Sequence, residues 1–150
     1  MNFRGILIAK EGIRYNLFIM VLPTLDAHSH FDPSCSSLEL SEAGALLAMT
    51  LSLVEAAKVI ERQEPLIAWG VGCHPRKLAA QQAFDPDRFA GLAGKSAIIG
   101  EVGLDTVYQV PMERQLTTLR LVLAYTAKNP RIISLHSFNY KESVNPWFLL

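Results

Sequence analysis

The stretch VLPTLDAHSHFDP, residues 21–33, joins an apolar run to a set of polar side chains. Its first half has the length and composition of a buried strand. Its second half contains His28 and His30, with Asp26 just before them. Side chains at positions i and i+2 of a strand point to the same side, so both imidazoles can face one point. The stretch therefore predicts a strand that ends in a candidate binding site.

The same pattern of an apolar run followed by polar residues recurs along the chain. After the first strand at 21–28, further strands are predicted at 44–52, 65–74, 96–105 and 130–137. Helices are predicted at 53–64, 84–94 and 111–130, whereas the first crossover is short for a full helix. Runs that are apolar on both sides of the pleat are typical of parallel strands covered on both faces. We therefore predict an α/β fold with a parallel sheet and about five β/α units.

The composition is that of a folded chain of moderate size. The 150 residues are 50% hydrophobic, and 14 Lys and Arg balance 14 Asp and Glu. This length suffices for one domain with its own core. The zero net charge gives no general attraction to nucleic acid or to anionic membranes. Cys35 and Cys73 lie outside any CxxC spacing, which indicates free thiols in a cytoplasmic protein rather than a disulfide framework.

Residues 1–21 are predicted to be an N-terminal extension of the domain. Lys10, Glu11 and Arg14 interrupt its apolar residues, so no run is long enough to span a membrane. No small-residue cleavage site follows, which makes a signal peptide the weaker interpretation. Translation from Met20 is the simpler one.

Polar residues of the metal-ligand type follow four of the five predicted strands. Besides the histidine pair of the first strand, the third ends in His74, the fourth contains Glu101 and Asp105, and the fifth contains His136. In parallel α/β folds, the carboxyl ends of the strands carry the active site. Imidazoles and carboxylates that converge there suit a divalent metal.

Each of these residues also has a plainer structural interpretation. His74 before Pro75 could cap a strand, and Asp105 could be a turn residue. His136 alone is more typical of a hydrogen-bonded core histidine. Glu101 is different, because a carboxylate inside an apolar run is costly to bury without a cation. The joint placement of these residues at successive strand ends favours a common site.

Four motifs, in this order, resemble those of TatD-like deoxyribonucleases: LDAHSHFD, GVGCHPRKL, IGEVGLD and NPRIISLHS. Gln115 also stands where that family often has a glutamine. The resemblance covers residues 22–137 and implies a metal-dependent hydrolase of the amidohydrolase superfamily. It also implies a TIM-barrel type (β/α)8 fold, of which this chain would hold only about the first five units as an incomplete barrel.

The resemblance implies a set of metal ligands. His28 and His30 would bind a first ion, and His136 would bind a second. Glu101 would bridge the two ions and act as the catalytic carboxylate. The ions would be Mg, Mn or Zn, up to two in a complete site, and they would polarise a phosphodiester and activate a water for attack.

The resemblance also implies roles for residues that surround the ions. His74 would line the site beside the substrate. Asp26 and Asp105 would be supporting carboxylates that orient the ligands from a second layer.

The C-terminal part departs from the family pattern. The family continues past the fifth strand with a further histidine ligand and a late aspartate, whereas residues 138–150 resemble neither. We therefore expect a C-terminally truncated form, with a hydrolase domain at 22–137 and a divergent tail at 138–150. The open edge of an incomplete barrel would be a surface for self-association.

Three functions are compatible with these motifs. The first is hydrolysis of DNA or another phosphodiester, with no membrane partner. The second is an inactive remnant or interaction module that retains part of a metal site. The third is an amidohydrolase that acts on amides or esters. It ranks last because the fourth strand lacks the lysine with which many such enzymes bridge their metals.

Overall fold

Strands and helices alternate over the residues that the computed structural model describes, which are 4–10, 13–19, 24–42, 44–107 and 110–138. The strands are β1 (Arg4–Lys10), β2 (Ile13–Ile19), β3 (Leu25–Ser29), β4 (Ala45–Met49), β5 (Ile67–Gly70), β6 (Ile98–Asp105) and β7 (Ile132–Phe138). The helices are α1 (Ser37–Glu42), α2 (Leu53–Val59), α3 (Leu78–Gln82), α4 (Pro86–Ala93) and α5 (Met112–Lys128).

The five predicted strands are confirmed as β3 to β7, and their pairings are parallel. Strands β3, β4 and β5 form one sheet in chain order, and β6 pairs with β7. A parallel bridge between Val71 and Ile99 connects the two sheets, and the Val71 amide donates to the Ile98 carbonyl at 3.1 Å. The chain is therefore α/β with parallel strands in sequential order, which is the order of a (β/α) barrel. The incomplete barrel itself stays a prediction.

The helix α2 shows how local sequence sets an element's start. The Ser52 hydroxyl accepts a hydrogen bond from the Glu55 amide at 3.1 Å, so the helix begins at Leu53 as predicted. It ends at Val59 instead of residue 64. Beyond it the chain turns, and Arg62 donates to the Cys35 carbonyl at 2.8 Å.

The other helices agree with the sequence to different degrees. Helices α4 and α5 lie within two residues of the predicted ranges, and Asp85 caps α4 just before Pro86. The first crossover is short, as predicted, with the six residues of α1, whereas α3 was not predicted. Among the described residues, no helix is long and apolar enough to cross a bilayer.

The core lies between β6 and the helices that cover it. All residues of β6 are buried, and Ile99, Val102 and Leu104 belong to a cluster that includes side chains of α2, α4 and α5. The two outer strands are much less covered: Leu25 on β3 and Ile132 on β7 are 56% and 61% exposed. Glu101 is therefore held in the best-packed strand of the parallel sheet.

The N-terminal segment contains a hairpin that the sequence analysis missed. Strands β1 and β2 pair antiparallel, from Arg4 with Ile19 to Lys10 with Ile13. The signal in the sequence is the pair of neighbouring runs rich in apolar residues at 4–10 and 13–19. The predicted extension thus contains two strands. Of the predicted tail, Phe138 ends β7, while the rest, like Met20, lies outside the described residues.

Candidate metal centre

The candidate histidines gather around one carboxylate, near the carboxyl ends of the parallel strands. Glu101 of β6 is 7% exposed. Its Oε2 lies 3.1 Å from His30 Nε2, 3.3 Å from His74 Nε2 and 3.5 Å from His28 Nε2. Its Oε1 lies 2.5 Å from His136 Nδ1. Side chains from β3, β5, β6 and β7 regions thus meet where the sequence predicts a common site.

Glu101 is held as a carboxylate. Burial alone would raise its pKa, but hydrogen bonds from His74 and His136 outweigh burial and lower the pKa of Glu101 to about 2. A negative charge therefore stays at the centre of the cluster at neutral pH. Such a charge in a packed strand requires positive or hydrogen-donating partners.

The contact that Nδ1 of His30 makes indicates whether Nε2 carries a proton or a lone pair. Nδ1 lies 2.9 Å from the Met49 carbonyl oxygen. A carbonyl can only accept, so the proton of the neutral ring is on Nδ1. Nε2 then presents a lone pair to the Glu101 carboxylate at 3.1 Å. Two acceptors that face each other repel, and a cation between them removes the repulsion. The arrangement fits a divalent ion with imidazole and carboxylate ligands.

His28 is held beside His30 by two kinds of contact. Its Nδ1 lies 2.7 Å from the hydroxyl oxygen of Ser134 on β7, and its Nε2 lies 3.1 Å from His30 Nε2. Its backbone N–H donates to Asp26 at 3.0 Å, and Ser29 donates to the same carboxylate at 2.5 Å. These two hydrogen bonds lower the pKa of the exposed Asp26 carboxyl. Asp26 therefore supports the backbone of β3 rather than an imidazole ring.

His74 has the opposite proton arrangement to His30. Its Nδ1 lies 3.1 Å from the backbone N–H of Arg76, which can only donate. The proton of the neutral ring is therefore on Nε2. Nε2–H points at Glu101 Oε2, 3.3 Å away. In this form His74 is a hydrogen-bond donor to the centre and offers it no lone pair.

His136 lies between two carboxylates. Its Nδ1 faces Glu101, and its Nε2 lies 2.8 Å from Oδ2 of Asp105. Asp105 is buried and also accepts from Arg76 Nε at 2.5 Å. Burial would raise the pKa of Asp105, but the hydrogen bonds from Arg76 and His136 lower it. A carboxylate behind a ligating imidazole fixes the orientation of the ring.

The loop after β6 is held by a buried amide. The Asp105 backbone N–H donates to Gln115 Oε1 at 2.7 Å, and Gln115 Nε2 donates to the carbonyls of Asp105 and Val110 at 3.0 and 2.9 Å. Gln115 thus binds both backbone groups of Asp105. This gives a structural reason for a glutamine at this position of α5.

Three groups of the site were missed by the sequence analysis: the Met49 carbonyl, Ser134 and Arg76. Ser134 had a usable signal, because it lies two residues before His136 on the same face of a strand. The other contacts join residues from different elements. Nothing in the local sequence around them indicates the partner.

Among the residues that the structure describes, two groups of side chains could each hold an ion, and they share Glu101. One contains His28 and His30, and the other contains His74 and His136, with all ligand atoms of a group within 4.8 Å of one another. Imidazole and carboxylate ligands suit Zn, Mn or Mg to different degrees. In the second group, His74 would have to move its proton to Nδ1 and His136 would have to release the proton that it donates to Glu101 before either could bind an ion.

A family model described as TatD related DNase matches residues 25–146. No curated protein matches the chain. The match includes every residue of the histidine and carboxylate cluster, from Asp26 to His136.

Proposed function

This chain belongs to the TatD-related DNase family, and on that basis we propose that it hydrolyses phosphodiester bonds in DNA. The family comprises metal-dependent hydrolases, so the reaction class follows from membership. The finer statement, that the bond is a phosphodiester and that an activated water attacks it, is supported by the chemistry of the cluster around Glu101.

The observation that carries the proposal is the position of His30, whose Nε2 lies 3.1 Å from the Glu101 carboxylate while its Nδ1 lies 2.9 Å from the Met49 carbonyl oxygen. We assign a first ion to His28, His30 and Glu101, and a second ion to Glu101 and His136. When bound, such ions supply positive charge that polarises a phosphate and lowers the pKa of a water. In this assignment Glu101 would hold both ions and would be the catalytic carboxylate.

The remaining side chains of the cluster act on position and protons. His74 carries its proton on Nε2, so it can donate a hydrogen bond to a phosphate oxygen beside Glu101. Asp105 contacts Nε2 of His136 and accepts a hydrogen bond from Arg76, so it orients the His136 ring. Asp26 holds the backbone of β3 under His28.

The charge balance indicates how DNA would be bound. With 14 basic and 14 acidic residues, the chain has no general attraction for a polyanion. Recognition would therefore depend on the scissile phosphate at the ions and on few other contacts. Contacts of that kind carry little sequence information, so we expect weak sequence preference.

The test is metal-dependent cleavage of a DNA oligonucleotide, with Mg, Mn and Zn added separately. Glu101→Gln and His28→Ala should each abolish cleavage. Glu61→Gln is the matched control, because Glu61 is an exposed glutamate whose partner is Lys95 on the surface. Full activity of both site variants would overturn the proposal.

One observation favours the inactive remnant as a second candidate. The side chains of His28 and His30 are 40% and 39% exposed, whereas catalytic sites commonly exclude water. Binding of an ion without cleavage of DNA or of a simple phosphodiester would support this candidate. Cleavage of an ester or amide alone would instead support the third function.

Two further proposals concern the oligomeric state and the cellular location of the chain. Self-association through the outer strands is supported by the exposure of Leu25 on β3 and of Ile132 and Phe138 on β7. Sedimentation velocity at several concentrations tests it, and a constant monomer would refute it. A cytoplasmic location is supported by the free thiols of Cys35 and Cys73.

A further inference from the structure

A cavity lies beside the candidate metal centre, between the loop that follows β4 and the helix α3. Its volume is about 360 Å³, within the range of roughly 300–1,000 Å³ that is usual for ligand pockets. Leu51 and Lys77 belong to its lining. The Leu51 carbonyl accepts a hydrogen bond from the His74 amide at 3.0 Å, and the Lys77 amide donates to the His74 carbonyl at 3.1 Å. Since His74 lies 3.3 Å from Glu101, the cavity adjoins the centre.

Two cations in the lining of this cavity have no acidic partner among the described residues. Lys77 is exposed, and its ammonium takes part in no hydrogen bond or ion pair with the described part of the chain. The exposed Arg88 guanidinium has one acceptor there, the Leu53 carbonyl, at 3.4 Å from Nη2. The nearby Asp85 carboxylate accepts from the Arg88 backbone N–H at 2.6 Å instead. Both cationic groups are therefore available to an anion, with which they would form charge-assisted hydrogen bonds.

The acidic residue of the lining, Glu55, is bound to the backbone. Its Oε2 accepts from the Leu51 amide at 2.7 Å. With Lys77 and Arg88 against Glu55, the lining has one more positive than negative charge. Most other lining residues are apolar, namely Leu53, Val54, Ala79, Ala80 and Ala83. Apolar walls screen charge less than water does, so they strengthen the attraction of the two cations for an anion inside the cavity.

We propose that Lys77 and Arg88 bind a phosphate of the DNA backbone that flanks the scissile phosphate. This inference rests on the proposed function, which puts the scissile phosphate at Glu101. Because both sides of the cavity are hydrogen-bonded to the backbone of His74, a strand that leaves the centre past His74 reaches the two cations with its next phosphate. Phosphate contacts position a strand and do not read its sequence. The second contact therefore adds affinity without sequence preference.

The first experiment measures the binding of a fluorescein-labelled single-stranded oligonucleotide by anisotropy, in EDTA and at several salt concentrations. It requires neither metal nor catalysis. Lys77→Gln and Arg88→Gln should each raise Kd about three- to fivefold, as expected for the loss of one exposed ionic contact. The double variant should reduce the slope of log K against log salt by about 0.7, the value for one phosphate on a single strand. Arg88→Lys keeps the charge and should keep the slope.

Lys128→Gln is the matched control for the lysine. Lys128 is an exposed lysine at the last residue of α5, and the chain then enters β7. It therefore lies near the amino ends of the parallel strands, away from Glu101, and its loss should leave Kd unchanged. The proposal would be overturned by a wild type that does not bind the oligonucleotide, by an unchanged Kd in the double variant, or by an equal rise of Kd in Lys128→Gln and Lys77→Gln.

Substrate length separates a contact with the flanking phosphate from a general attraction to DNA. A dinucleoside monophosphate contains only the scissile phosphate, whereas a trinucleotide with two phosphodiesters also supplies a neighbour. Where the wild type cleaves both, Lys77→Gln should raise the KM of the trinucleotide about three- to fivefold more than the KM of the dinucleotide. An equal rise for the two substrates would contradict the assignment of a flanking phosphate.

The two experiments also separate this inference from the proposed function. If the wild type binds DNA but cleaves nothing, the proposed function fails, and the effect of the double variant on Kd decides whether Lys77 and Arg88 bind a phosphate. If the wild type cleaves DNA but neither Kd nor KM changes in the double variant, only this inference fails.

Discussion

The two halves of the candidate metal centre share Glu101 but are built in different ways. The outer half consists of His28 and His30 at the end of β3, with side chains 40% and 39% exposed. The inner half consists of His136 and Asp105, with side chains 14% and 0% exposed. On the side away from Glu101, the outer rings contact one hydroxyl, that of Ser134, and one carbonyl, that of Met49, whereas the inner pair belongs to a network of buried charges.

Because of this difference, we expect substitutions in one half to affect mainly folding stability and substitutions in the other half to affect mainly metal binding. A change in the inner half disturbs the packed strand β6 and the charges buried against it, so it should appear mainly as lost folding free energy. A change in the outer half leaves the core intact, since β3 is largely exposed. It should appear mainly as weaker metal binding. Substitutions in each half test this separation.

The largest effect is expected for Gly72→Ala, beneath the inner half. Here β6 approaches β4, and the Glu101 amide donates to the Thr50 carbonyl at 3.2 Å. A Cβ on Gly72 would lie 2.0 Å from the Thr50 oxygen and 2.4 Å from the Glu101 nitrogen, both of them backbone atoms. We expect a loss of about 4 kcal/mol or more in the free energy of unfolding, measured by urea denaturation.

The control for Gly72→Ala is Gly91→Ala in the middle of α4. An added Cβ there meets no atom within 4 Å. Alanine is the better helix former, so this variant should gain roughly 0.5–1 kcal/mol. Similar changes in the two variants would contradict the close approach of β4 and β6.

Asp105→Asn should have the next largest effect. The substitution removes a buried charge that accepts from both Arg76 and His136. Breaking a buried pair costs about 3–5 kcal/mol, and because the Arg76 side chain is 30% exposed, we expect about 3. Glu61→Gln removes an exposed pair with Lys95 and should change stability by less than about 0.5 kcal/mol. A loss below 1 kcal/mol in Asp105→Asn, measured by the same urea denaturation, would mean that the inner half is not a charge network.

The pH dependence of stability tests Glu101, which both halves share. Its pKa is about 2 in the folded chain against a usual 4.5, so its contribution is present above pH 4.5 and is lost as the pH falls towards 2. The difference corresponds to about 3 kcal/mol. In metal-free buffer, the wild type should lose about that much more stability than Glu101→Gln between about pH 5 and pH 2. Parallel acid profiles would contradict the lowered pKa.

Much of this centre could be predicted from the sequence, because its residues either follow the two-residue period of a strand or would be costly to bury without a partner. His28 and His30 are two residues apart on a strand, and Glu101 is a carboxylate in an apolar run. Those features depend only on local geometry and on the free energy of burying a charge. The parallel strands could be predicted from their continuous apolar runs, which likewise reflect the free energy of burial.

The proton positions could not be predicted, because groups distant in sequence or oriented by a turn decide them. His30 faces a carbonyl of β4, and His74 faces the amide of Arg76 within the turn of residues 74–77. The identical residue type therefore favours a lone pair towards Glu101 at one position and a proton at the other. The short helix α3 was missed as well.

The smallest effect is expected for Ser134→Ala, which removes the hydroxyl at 2.7 Å from Nδ1 of His28 and leaves the ring in place. Loss of such an outer partner typically weakens metal binding 10- to 100-fold, and because His28 is exposed we expect about tenfold. Titration calorimetry with Mn or Zn measures it. Ser137→Ala, on the opposite face of β7, is the control and should bind as the wild type does. If Ser134→Ala instead lowers stability by several kcal/mol with unchanged metal affinity, the outer half is part of the core, and the division between the two halves is wrong.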